Sequence, residues 1–135
     1  AKRNYKDPIQ PTKEATDNDF NSAIDLLLAN YETVSTVVAT HNAQSTQFCI
    51  DKMDEFGISK ENPKVYMAQL YGMSDNLSMN VAHDGYNVVK YVPFGPLTDV
   101  MPYLFRRAEE NTSVKGQTGR ELQLIKQELQ RRKRS

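Results

Sequence analysis

Tyr103, Arg106, Arg107 and Glu110 follow one another at intervals of three, one and three residues. On a helix this spacing gathers all four into one polar arc. Two neighbouring guanidinium groups present forked donors that match a planar carboxylate or a phosphate. Glu110 is placed to hold one or both of them, and Tyr103 adds a flat apolar wall with a hydroxyl at its rim. Such a set is suited to binding and orienting a small anion. The competing interpretation is a surface ion-pair cluster, in which each exposed pair contributes about 0.2–1 kcal/mol. Periodicity by itself leaves both open.

The arc needs a helix to carry it. Leu97, Val100, Met101, Leu104, Phe105 and Ala108 supply an apolar stripe on a different arc, the clearest amphipathic pattern in the chain. A start near Thr98 leaves Pro102 in or beside the first turn, where proline is tolerated. Upstream, short β-branched runs alternate with helical spacing. Phe20, Ile24, Leu27, Leu28 and Tyr31 predict a helix ending near Asn30, with Thr16, Asp17 and Asn18 as candidate N-caps. Thr36 to Ala39 then reads as a strand buried on both faces. Phe48 or Cys49, Met53 and Phe56 mark a second helix closed by Gly57, and Val65 to Leu70 a second strand. Asp75 caps a third helix through Leu77 and Val81, ending at Gly85. Asn87 to Val92 is the third strand, stopped by Pro93 and Gly95. Residues 1–16 read as a lead-in loop, and residues 119–135 as a short C-terminal helix, with Leu122, Ile125 and Leu129 in register, and a basic tail.

Alternating strands and helices with buried strands imply parallel βαβ units. An open doubly wound sheet is one solution, but no Gly-rich phosphate loop follows any of the strands. The 135 residues are about half of the roughly 250 that a (β/α)8 barrel needs. Seventeen basic residues balance seventeen acidic ones, which argues against a nucleic-acid-binding surface covering the domain. Cys49 is the only cysteine, so an internal disulfide and a Cys-cluster metal site are excluded, and a reducing compartment is the mild inference. The basic end, Arg131 to Arg134, reads as a solvated terminus, a localisation signal or a membrane-surface contact. His83 reads as solvent-exposed, and the five methionines as core filler.

Several longer strings then stand out together. Tyr91-Val92-Pro93-Phe94-Gly95 precedes Tyr103-Leu104-Phe105-Arg106-Arg107-Ala108-Glu109-Glu110-Asn111, and Ala39-Thr40-His41-Asn42 and Gln69-Leu70-Tyr71-Gly72-Met73 close the two earlier strands. In this order and spacing they resemble the proline dehydrogenase family. The opening Asp7 to Thr12 and the tail from Lys115 to Arg132 resemble its mitochondrial branch, so the likeness runs over essentially the whole chain.

The resemblance implies an α/β fold, the C-terminal portion of a (β/α)8 TIM-like barrel, about three βα units and a tail helix. It implies oxidation of L-proline to Δ1-pyrroline-5-carboxylate by hydride transfer to FAD, with electrons passed to a quinone. Arg106 and Arg107 then grip the substrate carboxylate, and Tyr91, Tyr103 and Leu70 line the proline pocket. Glu110 supports the arginines and the cofactor side, while Thr40, His41 and Asn42 approach the flavin. Gln69 is assigned to the same cofactor set, although bacterial members place their glutamine one position earlier, where this chain has Ala68. His41 reads as a flavin-pocket wall, since hydride transfer requires no histidine base.

The family's earlier strands carry a lysine and an aspartate near substrate and an arginine and a tyrosine near flavin, so the N-terminal half of the barrel is an expected partner. The chain alone is then expected to be inactive. A mitochondrial location is implied, on the matrix side of the inner membrane with peripheral membrane contact. Two alternatives compete: another flavin barrel resembling methylenetetrahydrofolate reductase, disfavoured by the adjacent arginines, and a non-catalytic helical interaction module using the basic tail.

Overall fold

The computed structural model describes residues 9–113 and 117–134. The chain divides into two compact units, Ala1–Tyr91 and Val92–Ser135. The first runs α1 (Lys13–Ala29), β1 (Thr36–Ala39), α2 (Ala43–Glu55), β2 (Val65–Leu70), α3 (Asp75–His83) and β3 (Val88–Tyr91). The second holds α4 (Leu97–Ser113) and α5 (Gln117–Arg134).

The three strands form a parallel sheet in the order β1-β2-β3. Successive parallel strands with a helix in each crossover are the expected product of the βα alternation, and they exclude the purely helical module. Residues along a strand point to opposite faces in turn. Thr36 and Val38, Val65 and Met67, and Val88 lie on one face in matched register. That face packs with Ile24 and Leu28 of α1, Cys49 and Met53 of α2, and Val81 of α3 into one core. The other face carries Val37, Tyr66, Ala68, Leu70, Val89 and Tyr91; Val37 is 58 % and Tyr91 55 % exposed.

Two helix ends share one solution. At α2, Ile58 N donates to Met53 O (2.8 Å) and Gly57 N to Asp54 O (3.1 Å), with Gly57 at φ +66°. At α3, Tyr86 N donates to Val81 O (3.2 Å) and Gly85 N to Ala82 O (3.1 Å), with Gly85 at φ +92°. Both are Schellman turns, which need a left-handed residue that glycine adopts without a Cβ penalty. Each also drives the residue after glycine, Ile58 or Tyr86, into the core.

Several boundaries differ from those expected. Helix α1 begins at Lys13, and its cap is Thr12, whose Oγ1 accepts from Ala15 N (3.1 Å). Its first turns are polar and solvated, so the apolar stripe from Phe20 marks only the later part. Helix α2 starts at Ala43, well before Phe48, because Asn42 caps it. The tail helix begins at Gln117, two residues before Gly119, and reaches 18 residues. Pro102 is the sixth residue of α4, past the first turn, where its missing N–H leaves the Thr98 carbonyl without the usual helical donor. Met53 and Met67 fill the core as expected, but Met79 is exposed. His83 is exposed, as its position predicted.

Candidate functional site

Three strand ends carry the first group of candidate residues. Thr40 follows β1 directly, and its N–H continues the ladder to Ala68 O (3.1 Å). Its hydroxyl accepts from Asn42 N (3.0 Å), and Asn42 Oδ1 in turn accepts from Gln44 N (2.9 Å). These two interlocked turns fix the path from strand to helix. Asn42 therefore works as the N-cap of α2, while its Nδ2 is buried without a hydrogen-bond partner among the described residues. His41 Nδ1 is hydrogen-bonded to Ser74 Oγ (2.9 Å) in the loop after β2.

Leu70 and Tyr91 close β2 and β3 and are direct partners in the parallel register. Tyr71 N extends the pairing to Tyr91 O (2.9 Å). Both side chains stand on the open face at the C-terminal edge of the sheet, the edge on which barrel active sites are built. Ala68 lies on that same face.

Gln69, expected in the cofactor set, does not. The pleat turns it to the helix-covered face, where it is 3 % exposed. Its Nε2 donates to Thr40 O (3.2 Å), and its Oε1 accepts from Ser78 Oγ of α3 (2.9 Å). The amide ties β1, β2 and α3 together. A shift of one residue reverses the face, so Ala68 rather than Gln69 lies on the open face.

A second group of candidate residues lies on α4. Arg107 Cζ sits 5.2 Å from the centroid of the Tyr103 ring, one helical turn earlier. Such stacking orients the guanidinium plane. Tyr103 and Arg107 are half-buried, whereas Arg106 is exposed. The backbone of Glu110 belongs to α4, but its side chain is outside the described residues. Its support of the arginines therefore stays an expectation.

Three contributors escaped the sequence reading. Ser74 is the only non-glycine residue with positive φ among the described residues (φ 50°, ψ 39°). Ser78 bonds Gln69. Lys90 of β3 donates to Met73 O (2.7 Å) and pairs with Asp75 Oδ1 (2.8 Å). Of these, only Lys90 left a trace in the sequence: a lysine amid Val88, Val89 and Tyr91 implies a buried stem and a partner for the ammonium. No group of three or more His, Cys, Asp or Glu side chains that could hold a metal occurs among the described residues.

Comparison with known proteins identifies the family. The profile of the family described as proline dehydrogenase matches residues 1–120. The chain is 41 % identical to human proline dehydrogenase 1, mitochondrial, covering 100 % of this chain and 23 % of that protein. It is 38 % identical to a hydroxyproline dehydrogenase of Xenopus laevis, covering 96 % of this chain and 29 % of the relative. Among solved structures it resembles proline utilization A (PutA) from Bdellovibrio bacteriovorus inactivated by N-propargylglycine. The TM-score is 0.73 at 30 % identity, covering 80 % of this chain and 11 % of that one. The chain thus spans about a quarter of the length of these curated relatives, and its parallel βα units are those of part of a TIM-type barrel. With a family profile over most of its length and this fold beneath it, the chain belongs to the proline dehydrogenase family.

Proposed function

We propose that this segment is the C-terminal part of the barrel of an FAD-dependent proline dehydrogenase and supplies much of its substrate pocket. The observation that carries the reading is the Leu70–Tyr91 register. It sets an aliphatic and an aromatic wall side by side at the C-terminal edge of the sheet, on the face that a closed barrel would enclose. Arg106 and Arg107 hold the proline carboxylate, with Tyr103 stacked on Arg107 to fix its plane, and Glu110 supports the pair. Two forked cations on one carboxylate hold the ring in a near-attack pose.

The residues at the β1 end fit a flavin nucleotide. The buried, unpartnered Asn42 Nδ2 is a donor matched to a ring carbonyl or phosphate oxygen, and Thr40 and His41 flank it. When bound, the flavin supplies the two-electron acceptor: a hydride leaves the carbon beside the proline nitrogen, the nitrogen gives up a proton, and Δ1-pyrroline-5-carboxylate forms. A quinone would be the final acceptor of those electrons. The rest of the barrel covers the open face, and without it the segment is inactive. Relatives named as mitochondrial favour that compartment. The exposed Leu122, Ile125 and Leu129 stripe of α5, beside a basic end, suits peripheral contact with the inner membrane from the matrix side.

The test is Arg106→Lys and Arg107→Lys in the complete polypeptide carrying this segment. Each keeps the charge but removes the planar fork. Loss of a charge-assisted hydrogen bond should lower kcat/KM for proline about 10- to 150-fold, and cyclic carboxylate inhibitors should weaken in parallel. Wild-type kcat/KM and inhibitor affinity in both variants would sink the clamp.

A further inference from the structure

The loop between β2 and α3 is held in a way that neither sheet pairing nor helix capping explains. Ser74 occupies the N-cap position of α3, where serine ordinarily turns its hydroxyl to a backbone N–H of the first turn. Here it makes no side-chain cap. Its Oγ meets His41 Nδ1 instead, at 2.9 Å. Ser74 also adopts the left-handed region (φ 50°, ψ 39°), a conformation that costs a non-glycine residue roughly 1–2 kcal/mol. Both departures disfavour the loop locally, so neighbouring contacts must hold it.

Lys90 makes those contacts. It lies on the helix-covered face of β3, aligned with Gln69, with its side chain 21 % exposed. Its ammonium donates to Met73 O (2.7 Å) on one side of Ser74 and pairs with Asp75 Oδ1 (2.8 Å) on the other. The Asp75 side chain is 61 % exposed, so that arm contributes little. The bond to the shielded main-chain carbonyl is the fixed arm. Ser78 Oγ adds a second tie, within reach of both Ser74 O (3.1 Å) and Gln69 Oε1 (2.9 Å).

We propose that Lys90 is a positioning residue: by clasping the backbone on both sides of Ser74 it turns the Ser74 hydroxyl onto His41, and so fixes the imidazole at the cofactor side of the site. This rests on the functional reading above, in which His41 is a wall of the flavin pocket. Lys90 itself stands on the face opposite Tyr91 and touches neither substrate nor cofactor. Its effect passes through Ser74 to the ring. The bond leaves Nδ1 committed to the hydroxyl and Nε2 as the ring's other polar edge.

The experiment is a double-mutant cycle in the complete polypeptide, read by flavin dissociation and by the position of the visible flavin absorption band. Lys90→Met keeps the apolar stem and removes the donors; Ser74→Ala removes the hydroxyl. Each should weaken flavin binding about tenfold and shift the band in the same direction. The double variant should be no worse than the weaker-binding single, because both act on one chain of contacts. Lys90→Arg, which still reaches a carbonyl, should recover part of the affinity. The KM for proline should change less than about twofold.

A merely structural lysine gives a different pattern. Lys90→Met would lower the melting temperature, leave the flavin band in place and combine additively with Ser74→Ala, and any of the last two results overturns the proposal. If Lys90→Met does not fold, Lys90→Gln in the same cycle gives the same decision. A wild-type protein that holds no flavin overturns the functional reading and the Lys90 proposal together. Wild-type flavin binding with an unchanged Lys90→Met spectrum overturns the Lys90 proposal alone.

Discussion

The two faces of the sheet are built from alternate residues of the same three strands, yet they have opposite chemical characters. The helix-covered face is apolar through Val38, Val65, Met67 and Val88, with the buried Thr36 at its N-terminal end, and at its C-terminal edge Gln69 and Lys90 bond neighbouring loops. The open face keeps Val37, Val89 and Tyr91 exposed. Stability is thus concentrated on one side of the pleat, and the candidate pocket residues Leu70 and Tyr91 stand on the other. The difference teaches that a one-residue step along a strand separates a residue that holds the fold from one on the open face, where the candidate pocket residues stand. Gln69 and Leu70 are that step.

The comparison breaks most readily in the core. In the complete polypeptide, Leu28→Ala removes a fully buried side chain and should cost about 2–5 kcal/mol in urea unfolding. A loss below about 1 kcal/mol would mean that the helix-covered face does not carry the fold. Gln69→Leu comes next. It leaves Ser78 Oγ and Thr40 O without their side-chain partner, at a cost of about 1–3 kcal/mol. The matching change on the open face, Tyr91→Ser, should raise the KM for proline and improve relative use of hydroxyproline. Equal weakening of both substrates would make Tyr91 a plain wall.

Val37→Ala sharpens the contrast further. On a solvated face it should be nearly neutral. Under the rest of a barrel it loses about two buried methyl equivalents, roughly 1–2 kcal/mol. The larger value in the complete polypeptide would show the open face covered.

The smallest effect is confined to alkaline pH. Burial pushes the Cys49 thiol from 9.0 up to about 11, because the thiolate is disfavoured away from water. The folded pKa is raised, so this contribution is fully present below pH 9 and is lost as pH rises from there through about 11. Stability should fall across that window, and Cys49→Ala should flatten the fall. An unchanged slope in the variant would assign the alkaline loss to other groups.

The order of elements was legible from the chain alone, because each rests on a local pattern. The run from Val65 to Leu70 is a strand in full, Asn30 ends α1, and Gly57 and Gly85 end the next two helices by supplying left-handed turns. The arc of Tyr103, Arg106 and Arg107 also follows from spacing on a helix. The beginnings of α1 and α2 were not legible, because Lys13 to Asp19 and Ala43 to Gln47 are polar or small and form helix from their caps inward, ahead of any apolar stripe. Tertiary structure alone decided which side of the pleat each strand-end residue occupies. Register and helix packing turned Gln69 into a buried tie, left Ala68, Leu70 and Tyr91 on the open face, and brought Lys90 to Met73 and Ser74 to His41, pairs separated by 17 and 33 positions. Local sequence cannot encode such contacts, because they arise only when parallel strands align and their crossover helices fall on one side.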